Sequence, residues 1–191
     1  MRYNELTFQG RNAVLEAFRS GKTIDKLFIL DGCQDGPIKS IVREAKKTDA
    51  IINYVDKERL DRLAGTGHHQ GVVAIGAAYE YAEVEDILAA AKEKGEDPFI
   101  FILDEIEDPH NLGAIIRTAN LAGAHGVIIP KRRAVGLTAT VAKTSAGAIN
   151  YTPVAKVTNI SQTIEELKKQ GLWFVCADMG ASCRAAFMYS L

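Results

Sequence analysis

The chain has 191 residues, 47% hydrophobic and 25% charged, with a net charge of −1. That is the ordinary balance of a soluble globular protein with core enough for one large or two small domains, and it argues against indiscriminate polyanion binding. No apolar run is long enough to span a bilayer, and the opening MRYNELTFQG lacks an apolar signal core, so a cytoplasmic protein is expected. Cys33, Cys176 and Cys183 are odd in number and scattered, which fits neither a disulfide framework nor a zinc site.

Gly10 breaks the chain before a helix that carries Val14, Leu15 and Phe18 on one side, and Gly21 ends it. Leu27-Phe28-Ile29-Leu30 reads as a buried strand and Asp31-Gly32 as its turn. Pro37 suits the first turn of a helix running to about Lys47. A strand over 51–55 follows, and Asp56 caps a helix to about Leu63. After the loop 66–71 comes a strand over 72–75. This order closes a small α/β domain at residues 1–78. Residues 79–97 form an aromatic and acidic linker with a first helix from about Val84 to Lys94, and 98–191 form a second domain.

The second domain opens with Phe99-Ile100-Phe101-Ile102-Leu103, of the length and content of a buried strand. Asp104, Glu105, Glu107 and Asp108 follow, then Pro109, His110, Asn111 and Gly113, then an amphipathic helix. Ile115, Ile116, Ala119, Ala122 and Ala124 could form its packed side, with Arg117 projecting near its start. A strand over 126–130 leads straight into Lys131-Arg132-Arg133. A helix over 138–145, a strand over 152–157, a helix capped by Asn159 or Ser161, and a strand over 172–177 complete the series. Repeated strand–helix–strand units predict a parallel sheet with right-handed crossovers, and such sheets carry their sites at the carboxyl edge.

From Pro109 to Ile164 there is no Asp or Glu, while Arg117, Lys131, Arg132, Arg133, Lys143 and Lys156 supply six cations. Against a net charge of −1 they leave −7 for the rest of the chain. A region built from this segment would be locally positive, as a phosphate-bearing partner requires; the alternative is that its cations pair with acids elsewhere. Arg11 and Asn12 lie at a helix start, where phosphate is welcome, although simple capping accounts for them too. His69 and Gln70 sit beside glycines in a loop from which side chains can reach a base or a phosphate. His68-His69, adjacent and without a nearby Cys or acid, makes a poor metal pair, so no metal is expected. At the central helix, Asn111 as a plain cap and Arg117 as a solvated residue is the rival to a functional reading.

Asp-Pro-His-Asn-Leu-Gly-Ala-Ile-Ile-Arg-Thr-Ala, 108–119, resembles the first signature of the SpoU-type RNA ribose 2′-O-methyltransferases of the knotted SPOUT superfamily. Ser145-Ala146-Gly147-Ala148 and Pro153-Val154 also match that pattern. Gly10-Arg11-Asn12-Ala13-Val14 and His69-Gln70-Gly71-Val72-Val73-Ala74 are similar to the opening and closing signatures of the N-terminal RNA-binding domain that some of these enzymes carry. The resemblance implies a small α/β RNA-binding domain followed by a parallel-sheet methyltransferase domain. It implies transfer of a methyl group from S-adenosylmethionine to ribosomal or transfer RNA, usually by a homodimer. It also implies Arg117 and Asn111 as catalytic residues and Arg11, Asn12, His69, Gln70, Lys131, Arg132 and Arg133 as RNA contacts.

The resemblance fails after Met179: the Gly-x-Glu-Gly loop and final Asn-Ser-Val-Ala helix, which complete the knot and the donor site in the family, have no counterpart in 180–191. The expectation is a truncated or frameshifted ending, weak or no donor binding, and no cofactor-binding residues in this chain. The rival is a non-catalytic RNA-binding protein or fragment. A nucleotide-binding doubly wound domain is disfavoured, because no Gly-x-Gly-x-x-Gly or phosphate-loop lysine follows any strand.

Overall fold

Two sheets, each covered by helices on both faces, organise the protein in a computed structural model that describes residues 6–177 apart from 49 and 66. The first has strands β1 (Leu6–Gln9), β2 (Ile24–Leu30), β3 (Ile51–Val55) and β4 (Val72–Gly76) in the order β1-β4-β2-β3. β2 and β3 are parallel, while β4 runs antiparallel to both β1 and β2. Helices α1 (Arg11–Arg19) and α2 (Gly36–Lys47) cover Leu27 and Ile29 on one face. Helix α3 (Lys57–Ala64) places Leu60 against Phe28 and Val73 on the other. Burial from both sides is why β2 reads as an apolar run rather than an alternation.

The sequence reading missed β1. Its four residues are too short for a period-2 signal, and it exists because β4 offers a partner, Leu6 opposite Gly76 and Phe8 opposite Ala74. Asp35 and Asp56 cap α2 and α3 by accepting from the Ile38 and Arg59 amides, at 3.2 and 2.7 Å.

The second sheet is all parallel, β5 (Ile100–Ile102), β6 (Gly126–Pro130) and β7 (Val154–Val157), with β6 central and buried throughout. Helices α4 (Val84–Lys94) and α7 (Ile160–Lys169) pack Ile87 and Leu167 against Ile128 and Ala155. On the opposite face, α5 (Pro109–Leu121) and α6 (Ala139–Thr144) pack Leu112, Ile116 and Val141 against Val127 and Ile129.

Three expectations need correction. The strand over 99–103 is not a buried central strand but the three-residue, half-buried β5 at an edge of the described sheet, with Phe99 46% exposed. Residues 172–177 form no strand: the segment is irregular, and Leu172 and Phe174 pack beneath the sheet while Trp173 and Val175 stay in solvent. Its side-chain alternation looked like a strand, but no ladder partner for it lies among the described residues. On α5, Ile116 and Ala119 are buried as expected, but Leu112 and Gly113 join them and Ala122 is exposed at the helix C-cap. The departures expected after Met179 lie outside the described residues.

A buried polar knot joins the two sheets. Lys156 Nζ of β7 meets Asp25 Oδ1 of β2 at 2.5 Å, both side chains 14% exposed or less. The Tyr81 hydroxyl donates to Asp25 Oδ2 at 3.0 Å and accepts from the Leu137 amide at 2.9 Å. Burial first, and then the Asp25 charge, push the Tyr81 phenol well above the ordinary value of 10.0. A Cβ on Gly136 would collide with Asp25 Oδ2, so glycine is required where the chain passes the knot. Lys156 therefore faces inward and adds nothing to the surface charge expected of the acid-free segment.

Candidate functional site

Two places gather the candidate residues. At the first, Gly10 has a φ of 84°, which turns the chain sharply from β1 into α1, and α1 lacks a side-chain cap of its own. Gln70 supplies one from across the fold: its Oε1 accepts from the Arg11 amide at 3.1 Å, and its carbonyl accepts from Arg11 Nε at 3.2 Å. The far side of the Arg11 guanidinium pairs with Asp35 at 2.5 Å. Arg11, Asn12 and Gln70 thus line one cleft of ≈ 580 Å³ with Leu30, Cys33 and Pro37. Asn12 is exposed and its side chain makes no hydrogen bond among the described residues.

His69 does not open into that cleft. It is 5% exposed. The Gly71 amide donates to its Nδ1 at 3.0 Å, so the ring proton sits on Nε2 and faces Asp61 Oδ1 at 3.0 Å. Both ring nitrogens are engaged, so the residue holds the Gln70 turn in shape and offers nothing to a ligand. The acid that its sequence neighbourhood seemed to lack is Asp61, eight residues away and brought in by α3.

The second place is the carboxyl edge of the parallel sheet. Asp108 caps α5 by accepting from the His110 amide at 2.7 Å, and Pro109 takes the first turn, where its missing N–H costs nothing. Gly113 is a contact position. A Cβ there would collide with Thr144 Oγ1 of α6 and stand 3.0 Å from the Ser145 amide. The signature glycine lets α5 and α6 touch, and the Thr144 hydroxyl, which donates to the Thr140 carbonyl at 2.9 Å, stands 3.3 Å from the Pro109 carbonyl across that contact.

Asn111 and Arg117 both stand exposed on α5, and neither side chain has a hydrogen bond or ion pair among the described residues. They do not converge. Six residues of α-helix separate them by about 9 Å along the axis and about 120° around it. Arg117 is therefore neither sealed in a salt link nor held by Asn111.

The loops after β5 and β6 are tied to each other. Arg133 Nη1 meets Glu105 Oε1 at 2.7 Å, and the Val135 amide donates to the Ile106 carbonyl at 2.9 Å. Glu105 and Arg133 both adopt left-handed backbone, φ 56° and 57°, as do Gln70 and Ala146 at 51° each. Such conformations cost about 1 kcal/mol or more, and all four lie in segments singled out from the sequence. Lys131, Arg132 and Arg133 face the first sheet across a cleft of ≈ 370 Å³ whose other wall includes Lys26, Asn53 and Arg59. Those three were missed by the sequence reading: they lie far apart in the chain, and acids flank two of them, Asp25 before Lys26 and Glu58 before Arg59.

The model of the SpoU rRNA Methylase family matches residues 98–188, and that of the RNA 2′-O ribose methyltransferase substrate-binding domain matches residues 9–82. YacO of Bacillus subtilis, named for the TrmH family of tRNA/rRNA methyltransferases, is 54% identical over 172 residues, covering 90% of this chain and 69% of YacO. A similarly named protein of Staphylococcus haemolyticus is 48% identical over 174 residues, covering 91% of this chain and 70% of its own length. Among solved structures, the AdoMet-bound rRNA methyltransferase of Sinorhizobium meliloti is 22% identical with a TM-score of 0.40, and 86% of this chain spans 58% of it. The SpoU methyltransferase AviRb of Streptomyces viridochromogenes gives 18% and 0.42, with 87% of this chain spanning 59% of it. No helix among the described residues is long and apolar enough to cross a membrane. By its sequence identity to these relatives, the chain belongs to the SpoU/TrmH family of tRNA/rRNA methyltransferases.

Proposed function

We propose that the protein is a cytoplasmic, homodimeric enzyme that transfers a methyl group from S-adenosylmethionine to a ribose 2′-hydroxyl of ribosomal or transfer RNA. In this reading residues 1–78 bind the substrate, 79–97 connect, and 98–191 belong to the methyltransferase unit. The observation that carries it is Arg117, exposed and unengaged on the helix that leaves the carboxyl edge of a parallel sheet, inside the family's signature.

A guanidinium stays protonated in ordinary conditions, so Arg117 is no base for the hydroxyl proton. Its work is to clamp the phosphate next to the target ribose and to stabilise the negative charge that develops on the attacking oxygen. Asn111 hydrogen-bonds the ribose from the first turn of α5, where the helix dipole favours developing negative charge. Arg11, Asn12 and Gln70 receive RNA at the first cleft, and Lys131, Arg132 and Arg133 hold phosphates at the second.

S-adenosylmethionine supplies an electrophilic sulfonium methyl. The cleft beside the loop after β6 is lined by lysine and arginine, whose charge suits a phosphate and opposes a sulfonium. The described residues of that cleft fit a phosphate and not the donor. The same cationic lining also supports a second reading, an RNA-binding protein without catalysis.

The two readings part in one experiment. RNA incubated with labelled S-adenosylmethionine and the protein is digested to nucleosides and searched for 2′-O-methylated ribose. Its appearance supports the enzyme. Tight, salt-sensitive RNA binding with no methylated nucleoside leaves the binding protein.

A further inference from the structure

Three clefts between the two halves share residues and form one continuous groove. The first holds Lys46 and Thr158 with Ile51, Ile52, Lys131 and Arg132. The second shares Ile51, Ile52, Lys131 and Arg132 with it and adds Lys26, Asn53 and Arg59. The third shares Lys26, Arg133 and Ala134 with the second and adds Glu107. Six cations line this groove against one carboxylate.

The fold explains why the groove is open. Lys26 and Phe28 stand opposite Ile51 and Asn53 in the β2–β3 register, on the face that α3 covers only at its far end, where Leu60 meets Phe28. The near end of that face is left to the loop after β6. Lys26, Lys46, Arg59 and Arg132 have no side-chain hydrogen bond or ion pair among the described residues. Positive charges facing one another without counterions raise the local potential, and an anion laid between them lowers it.

We infer that this groove is a track for the phosphate backbone of the RNA substrate, with Lys26, Lys46 and Arg59 of the first sheet's unit closing on phosphates from one side and Arg132 from the other. The inference rests on the RNA methyltransferase reading and extends it to residues outside every signature. It gives the gap between the two units a task, which is to lead one strand from the substrate-binding half towards the carboxyl edge of the parallel sheet. A folded acidic protein fits less well, because the lining offers no exposed aromatic anchor: Phe28 is 6% exposed.

The test is RNA affinity at several salt concentrations, with labelled bulk tRNA and an unstructured oligoribonucleotide as probes. Each phosphate contact on single-stranded RNA contributes about 0.7 to the slope of log K against log salt, or about fivefold in affinity near 0.1 M. The variant Lys46→Gln/Arg59→Gln, changed only at exposed residues, is expected to bind about 25-fold more weakly and to lose about 1.4 from the slope. Lys26→Gln should lose about half as much. Lys46→Arg/Arg59→Lys keeps the charges and should stay near wild type, which separates charge from folding.

The control is Lys92→Gln/Lys94→Gln at the end of α4, on the opposite edge of the second sheet; it removes the same charge and should bind within twofold of wild type. Equal losses in groove and control variants, or none in the groove variants, would overturn the track while leaving RNA binding intact. Displacement of the RNA by polyglutamate of matched charge at equal concentration would overturn the assignment to a phosphate backbone. Absence of salt-sensitive RNA binding by the wild type would overturn the track and the functional reading together.

Discussion

The cleft beside α1 and the carboxyl edge of the parallel sheet both present arginines next to glycine-punctuated loops, yet they hold them in opposite ways. Arg11 is fixed on both sides, by the Gln70 carbonyl and by Asp35. At the second, Arg117 and Arg132 touch no acid among the described residues, and Arg133 alone of these is paired, with Glu105. A guanidinium already bonded within the chain can meet a phosphate only with the donors left over, but it meets it without losing rotamer entropy. A free one pays that ordering cost on binding and keeps all five donors for the substrate. The first cleft is thus built to recognise a shape, and the second edge to respond to charge as it arrives.

The largest expected effect strikes the free side. Arg117→Ala should lower turnover by about 10³-fold, near 4 kcal/mol of barrier, while changing donor affinity little. Single-turnover methylation beside calorimetry with S-adenosylmethionine reads both, and near-normal turnover would remove Arg117 from the chemistry.

Among residues locked inside the fold the cost moves from function to folding. Lys156→Ala strands the buried Asp25 carboxylate and should destabilise by about 3–5 kcal/mol in urea unfolding. A loss under 1 kcal/mol would mean that the knot joining the two sheets is hydrated in solution. Next comes Gly113→Ala, which forces α5 off α6 and should cost about 1–3 kcal/mol with a drop in turnover. An undiminished stability there would show that the α5–α6 contact gives way easily.

Tyr81→Phe removes the hydroxyl shared by Asp25 and the Leu137 amide, at about 1–3 kcal/mol. Its pH dependence is more telling. The folded phenol holds its proton above the ordinary value of 10.0, whereas the unfolded one releases it there. The folded state therefore binds more protons above about pH 10, and stability falls as pH rises beyond that point. The phenylalanine variant should lose that slope, and its persistence would assign the effect to another group. The smallest stability effect belongs to Arg11→Ala, under about 1 kcal/mol, because the pair with Asp35 is part-exposed. Its loss should instead weaken RNA binding by about fivefold. A large loss of stability would break the contrast between the two clefts.

The legible parts of the site were those written in consecutive residues. The strand, acidic loop and helix around Pro109 and the cluster of cations after β6 stand in single short stretches, although the cap of α5 is Asp108 and not Asn111. What escaped was set by partners distant in the chain. His69 looked like an exposed loop side chain until α3 delivered Asp61 to its Nε2. Lys156 looked like surface charge until β2 delivered Asp25. Lys26, Lys46 and Arg59 carry no motif, because a groove between two units leaves no periodic trace in either.

By itself, the order of apolar runs, caps and glycines determined the alternation of strands and helices and the signature around Arg117, since those follow from local backbone preference and short-range periodicity. Only the tertiary structure decided which charges face solvent and which face each other. That choice is made by contacts between residues as far apart as 25 and 156, where burial makes an unpaired charge costly and so forces the pairing.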